Sequence, residues 1–250
     1  MSGFSRHLPD PPLRSSVALA VAAGVVATAA GGMLVGAPTG HGIRHAIWAL
    51  GVFVPAGMIA IGTVGAHHPH PAFGPANHVT LIRLVLVALA ASLVSGPPTP
   101  SVAWLVAAIT TVVGLLDGCD GWLARRARSV SAFGARFDLE TDALFILVLS
   151  LLVWRLDKAG AWVLLCGLMR YLFVAAGWLL PWLAGPLRST WRGKAVAVSQ
   201  LVGLGVAVLP VVPSTASAVV AGLALLALVW SFAIDVRWLF QKYRHFGPVP

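Results

Sequence analysis

The sequence predicts an all-α integral membrane protein of about eight spans, and three observations lead there. Hydrophobic residues make up 58% of the 250-residue chain and charged residues only 10%, whereas a soluble domain carries about 25% charge. The apolar stretches approach or reach the roughly 20 residues that a helix needs to cross a bilayer. The few acids are not scattered: Asp117, Asp120, Asp138, Glu140 and Asp142 are five of the eight Asp and Glu in the chain.

Taken in order, the apolar stretches are residues 17–37, 46–66, 80–94, 102–116 running on toward Arg125, 143–154, 161–180, 195–212 and 217–234. The first is too long for the hydrophobic region of a secretory signal and lacks a clean cleavage pattern, so it is read as a membrane helix. Pro97, Pro98 and Pro100 mark a tight turn between the third and fourth stretches, and Pro210 and Pro213 close the seventh. Cys119 and Cys166 fall within predicted helices and form no disulfide framework.

Charge then orients the helices. With eight spans, both termini and alternate connections share one side. That side holds all 17 Lys and Arg except Arg44, Arg155 and Lys158, which lie opposite, and Arg170, which lies within a span. The positive-inside rule makes the rich side cytoplasmic. The expected location is therefore the inner (cytoplasmic) membrane, with both termini and the acidic segment facing the cytoplasm. The net charge of +9 reflects this bias and attraction to anionic headgroups, and no nucleic-acid partner is implied.

Along its length the chain divides into a two-helix extension (residues 1–66), a His/Pro/Gly linker (67–75), a core that carries every motif (76–240) and a cytoplasmic tail (241–250). The extension leaves two roles open: covering the side through which lipid enters, or serving a homodimer contact.

The core's chemistry concentrates between Asp117 and Asp142. A carboxylate at membrane depth costs several kcal/mol unless it is paired or binds a metal, so a cluster of them calls for a cation. At 100° per residue, Asp117, Asp120, Gly121, Ala124 and Arg125 fall within about 140° of one helix face. Asp138 and Asp142 are one turn apart on the next helix. Bringing the two helices together makes four carboxylates converge, while Gly121 and Ala124 keep the same face free of bulk. Oxygen donors without His or Cys suit Mg²⁺, Mn²⁺ or Ca²⁺, and Arg125 beside them suits a pyrophosphate.

The order D-x-x-D-G-x-x-A-R-x8-G-x-x-x-D-x-x-x-D, formed by Asp117, Asp120, Gly121, Ala124, Arg125, Gly134, Asp138 and Asp142, matches the signature of the CDP-alcohol phosphotransferases at every fixed position. Asn77, Thr80 and Arg83 resemble the N-x-x-T-x-x-R that opens the family's first core helix. Gly193, Lys194 and Gln200 resemble a G-K-x-K-T-x-x-Q segment of the phosphatidylglycerophosphate-synthase branch. Val196 and Ala197 depart from that pattern, and Arg170–Tyr171 stands where the branch has Arg-Glu. The resemblance covers about residues 75–240.

This resemblance implies a six-helix core with a polar cavity open to the cytoplasm, in which a CDP-linked alcohol reacts with a hydroxyl acceptor and CMP leaves. Asp117, Asp120, Asp138 and Asp142 would hold two ions of Mg²⁺ or Mn²⁺, with Asp142 also the general base. Asn77, Thr80, Gly121, Ala124, Arg125 and Gly134 would line the CDP pocket. Arg170, Arg188, Arg192 and Lys194 are candidates for holding a phosphorylated acceptor. The expected substrates are CDP-diacylglycerol and glycerol 3-phosphate. Inositol phosphate, serine or phosphatidylglycerol as acceptor, or a CDP-aminoalcohol acting on diacylglycerol, are the alternatives within the family. A cation-coupled transporter is the alternative outside it, since intramembrane acids also mark ion pathways.

Overall fold

A computed structural model describes residues 11–67, 73–126, 131–185 and 190–246; the side chains of residues 11, 12, 14, 63–67, 120–126, 184 and 246 are outside that description. The described residues form eight α-helices: α1 (Pro11–Gly36), α2 (Gly42–His67), α3 (Pro75–Ser92), α4 (Pro100–Arg126), α5 (Ala132–Arg155), α6 (Leu164–Leu179), α7 (Trp191–Val208) and α8 (Ser214–Phe246). Short 3₁₀ turns follow α1, α3 and α6, and one precedes α6. The described residues form no strand, so the all-α expectation holds.

Large apolar side chains lie on the outside. Leu19, Leu34, Ile47, Leu115, Leu226 and Trp178 are all more than 60% exposed, an arrangement that water would penalise and lipid would not. Among the described residues, six helical stretches are long and apolar enough to cross a membrane: Ser15–Thr39, Gly42–Gly62, Pro75–Ser95, Pro100–Cys119, Ala161–Leu179 and Ser214–His245. The eight expected spans differ from these six in α5 and α7. The apolar part of α5, residues 143–154, would rise only about 18 Å against a hydrocarbon core of about 30 Å. The helix gains the rest of its length from a first half bearing Arg136, Asp138, Glu140 and Asp142. Helix α7 likewise begins with Arg192 and Lys194. Hydropathy located the lipid-contacting portions and missed the polar helical ends, α8 continuing through Asp235 and Arg237 to Phe246.

The chain forms two compact units. One comprises Met1–Pro97 with Ala108–Asp142, the other Pro98–Ala107 with Ala143–Pro250. In the first unit, α1 packs along α2 and both pack on α3. The α1–α2 contact is a close approach of small residues. A side chain on Gly32 would come within 2.5 Å of the Ala46 backbone, and one on Gly36 within 2.7 Å of the Gly42 backbone. The Gly32–Gly36 and Gly42–Ala46 pairs are each four apart, the spacing that lets helix backbones touch in a bilayer. Buried His45 on α2 meets the Ser92 hydroxyl of α3 at 3.2 Å, giving these apolar helices one polar tie. Gly74 begins α3 at φ 80, ψ 152, a conformation that essentially only glycine adopts.

In the second unit α7 packs along α8, and three polar ties hold their ends and middle. The Gln200 amide donates to the Ala224 carbonyl at 2.5 Å, and the Ser217 hydroxyl donates to the Ala207 carbonyl at 2.8 Å. Lys158 Nζ, in the turn after α5, donates to the carbonyls of Leu209 and Val212 at 2.9 and 2.6 Å. Those carbonyls lie where α7 has ended and its backbone acceptors have no helical partner.

Candidate active site

Within the first unit, α3, the later part of α4 and the first part of α5 bring the site together. Asp117 lies near the end of α4, Asp138 and Asp142 lie one turn apart on α5, and Arg83 rises from α3. One carboxylate oxygen each from Asp117, Asp138 and Asp142 falls within 4.8 Å of the others. Sequence spacing had grouped these acids by helix face, and the folded chain places them at one point. Asp120, Gly121, Ala124 and Arg125 continue α4, but their side chains are outside the described residues, as is Arg188 altogether.

The Arg83 guanidinium is the partner that sequence reasoning missed. Its Nη2 reaches Asp117 Oδ1 at 2.8 Å and also donates to Asp142, while its Nη1 donates to Asp138. The Arg83 side chain is 1% exposed, and the three carboxylates are 37–40% exposed. The cation therefore lies on the protein side of the trio, and the acids lie between it and the open face. In the sequence, Arg83 stood as part of N-x-x-T-x-x-R and as a cytoplasmic positive charge. A signal for more was present: an Arg inside an apolar helix needs an acid, and acids are grouped only at residues 117–142.

Around this cluster the start of α5 packs against the start of α3. Phe73, Phe133 and Phe137 form a buried aromatic group, with Phe133 and Phe137 stacked at 5.8 Å and Phe73 6.1 and 6.4 Å from them. The Ser131 hydroxyl caps α5 by accepting from Gly134 N at 3.0 Å, which satisfies one of the orphan donors of a helix start. Asn77 is buried, donates to the Phe73 carbonyl, and turns its Oδ1 toward Gly134. Thr80 is also buried and bonds back to the Ala76 carbonyl at 3.2 Å. Two of the expected CDP-pocket residues thus sit within the α3–α5 packing, with Gly134 directly against Asn77.

A side chain on Gly134 would lie 2.8 Å from Asn77 Oδ1 and 3.2 Å from Ser131 Oγ. Gly134→Ala should therefore destabilise the protein by about 1 kcal/mol, because the overpacking cost of 1–3 kcal/mol exceeds the helix-propensity gain of at most about 1 kcal/mol. Thermal unfolding in detergent measures this, and a variant as stable as wild type would contradict the close packing.

The described acceptor candidates, Arg170, Arg192 and Lys194, belong to the second unit. Arg170 is half-buried on α6. Arg192 is ion-paired with Asp235 of α8, and its guanidinium carbon lies 5.9 Å from the centre of the Trp230 ring. Lys194 lies over Trp191 at 5.5 Å. Arg192 is thus already committed to a carboxylate, whereas Lys194 lies over an aromatic ring. Gln200, matched to the branch motif, braces α7 on α8.

The carboxylate trio suits a divalent cation by its chemistry. Its donors are hard oxygens, partly open, with neither His nor Cys in the group. Ligands on opposite sides of Mg²⁺ lie about 4.2 Å apart, so a spread of 4.8 Å closes with a sub-ångström movement. Three carboxylates facing one guanidinium also leave a formal excess of two negative charges among these four groups.

An acid cluster of this kind, set on the helices of an all-α membrane protein, has the chemistry to hold a phosphate-linked substrate through a divalent cation. The sequence model for CDP-alcohol phosphatidyltransferases matches residues 73–234, well over half of the chain, and the protein belongs to that family. It is accordingly a membrane transferase of phospholipid biosynthesis that acts on a CDP-linked substrate. The transporter alternative falls with this membership. No curated protein and no solved structure matches the chain.

Proposed function

We propose that the protein transfers the phosphatidyl group of CDP-diacylglycerol to glycerol 3-phosphate and releases CMP, at the cytoplasmic face of the inner membrane. The observation that carries this reading is the convergence of Asp117, Asp138 and Asp142 on one partly open point. Asp120, one turn along α4 from Asp117, completes the set of four that would hold two ions of Mg²⁺ or Mn²⁺. When bound, these ions neutralise the pyrophosphate and stabilise the departing CMP.

The remaining steps fall to the chain's own groups. The acceptor hydroxyl oxygen attacks the phosphorus that bears diacylglycerol, the bond from that phosphorus to the CMP oxygen breaks, and the hydroxyl proton passes to the Asp142 carboxylate. Gly121, Ala124, Arg125 and Gly134, with Asn77 and Thr80, shape the CDP pocket. Asn77 and Thr80 act there through the α3–α5 junction that sets the position of Gly134. Arg125 supplies a forked donor for a phosphate. Lys194, Arg170, Arg188 and Arg192 are the candidates for holding a phosphorylated acceptor, and Arg192 would have to share its guanidinium with Asp235. Residues 76–240 form the catalytic core, and the two preceding helices cover it or join two copies.

Purified protein in detergent, given CDP-diacylglycerol and Mn²⁺, should release CMP with glycerol 3-phosphate. It should not do so with serine, inositol, inositol phosphate or phosphatidylglycerol. Release with a different member of that panel would replace the acceptor. Silence with every acceptor, followed by CMP release from a CDP-aminoalcohol with diacylglycerol, would reverse which substrate carries the nucleotide.

A further inference from the structure

We infer that Arg83 is the site's internal counter-cation: it holds the three carboxylates together when no divalent metal is bound, and it opposes the metal electrostatically when one arrives. The inference rests on the proposed metal role of Asp117, Asp138 and Asp142, and it makes Arg83 a positioning residue. Three geometric facts support it. Each of the three acids presents its Oδ1 to the same guanidinium, Asp117 and Asp142 to Nη2 and Asp138 to Nη1. The contacts link three separate helices, α3, α4 and α5. The Arg83 side chain is almost wholly buried beneath acids that are more than a third exposed, so the guanidinium is not a surface group that meets them by chance.

Three carboxylates within 4.8 Å repel one another strongly where water is scarce. With no cation they would push α4 and α5 apart or take up protons. A guanidinium offers several donors in a fixed plane and does not lose its charge, so it can bridge three acids, whereas a lysine ammonium would approach as a single point. Because the guanidinium lies behind the acids, a metal can bind from the open side. Its net attraction to the site is then reduced by one resident positive charge. The site stays assembled between turnovers and releases its metal more readily than a bare acid cluster would.

The test is a stability cycle and a metal titration on the full-length protein in detergent, neither of which depends on activity. In chelator, Arg83→Met should lower the midpoint of thermal unfolding by about 5 °C or more. Adding Asp138→Asn to it should recover at least half of that loss, since one unbalanced charge is removed with its partner. The Mn²⁺ affinity of Arg83→Met should rise about tenfold or more over wild type, and saturating Mn²⁺ should stabilise this variant more than wild type. An Arg83 that serves only as packing predicts the opposite: the double variant is no more stable than Arg83→Met, and Mn²⁺ binds equally or more weakly. Either result overturns the inference. If Arg83→Met does not fold alone, the double variant decides: a folded double variant supports the role and an unfolded one overturns it. Wild-type protein that takes up no Mn²⁺ would overturn the metal reading itself, and the stability cycle would still decide whether Arg83 is the counter-cation.

Discussion

Asp142→Asn is expected to abolish CMP release, by about 10³-fold, while CDP-diacylglycerol binding stays close to wild type. The substitution keeps the size and planarity of the side chain, and the amide oxygen can still accept from the Arg83 guanidinium that holds Asp142 in place. What it removes is a group that can take the acceptor's proton. Loss of a base lowers turnover, and added Mn²⁺ does not restore it. The check is CMP release measured beside equilibrium binding of the CDP-lipid. Retained turnover would remove Asp142 from the chemistry, and loss of lipid binding in parallel would make its role structural.

Asp117→Ala is expected to fail in a different way. It deletes the single described acid that α4 contributes to the trio together with a 2.8 Å contact to Arg83. Metal affinity should fall by about 100-fold or more, since losing a mere outer-shell partner of a ligand already costs about 10–100-fold, and turnover should fall with it at low metal. Excess Mn²⁺ should restore part of the activity, which it should not do for Asp142→Asn. Metal titrations of the two variants, read by calorimetry and by CMP release, separate a ligand from a base. The same profile in both would mean that the two acids share one role, and the assignment of Asp142 as base would have to go.

The acid cluster was legible because it violates the composition around it. In a chain with 10% charged residues, five acids between positions 117 and 142 have few inexpensive explanations, and helical spacing alone put Asp138 over Asp142. The apolar stretches were legible for the same reason of contrast. Helix ends were less so: α5 begins at Ala132 and α8 runs to Phe246, well outside the hydropathic segments. Hydropathy reports contact with lipid, whereas a helix is extended by backbone hydrogen bonds that polar residues satisfy equally well.

Arg83 shows where one-dimensional reading stopped. Its helix is long and apolar enough to cross a membrane, and its charge fitted a topological count that needed no partner. Which acid it meets depends on how α3, α4 and α5 pack, 34 to 59 positions along the chain, and no periodicity within one helix carries that information. Arg192 is the reverse case. Its place in a basic cluster suggested a phosphate contact, and the packing of α7 on α8 gave it Asp235.

By itself, then, the sequence determined that this is a helical membrane protein of the CDP-alcohol phosphatidyltransferase kind and that its acids gather between Asp117 and Asp142, the place where we propose that a cation is held. Those conclusions follow from local facts: transfer free energy, residue type and the 100° step of a helix. Only the tertiary structure decided which cation sits under the acids, that Asn77 and Gly134 are a packed pair, and that Gly32 and Gly36 seat α1 on α2. Each of these joins different helices, and such contacts are set by the shapes and charges of both partners at once.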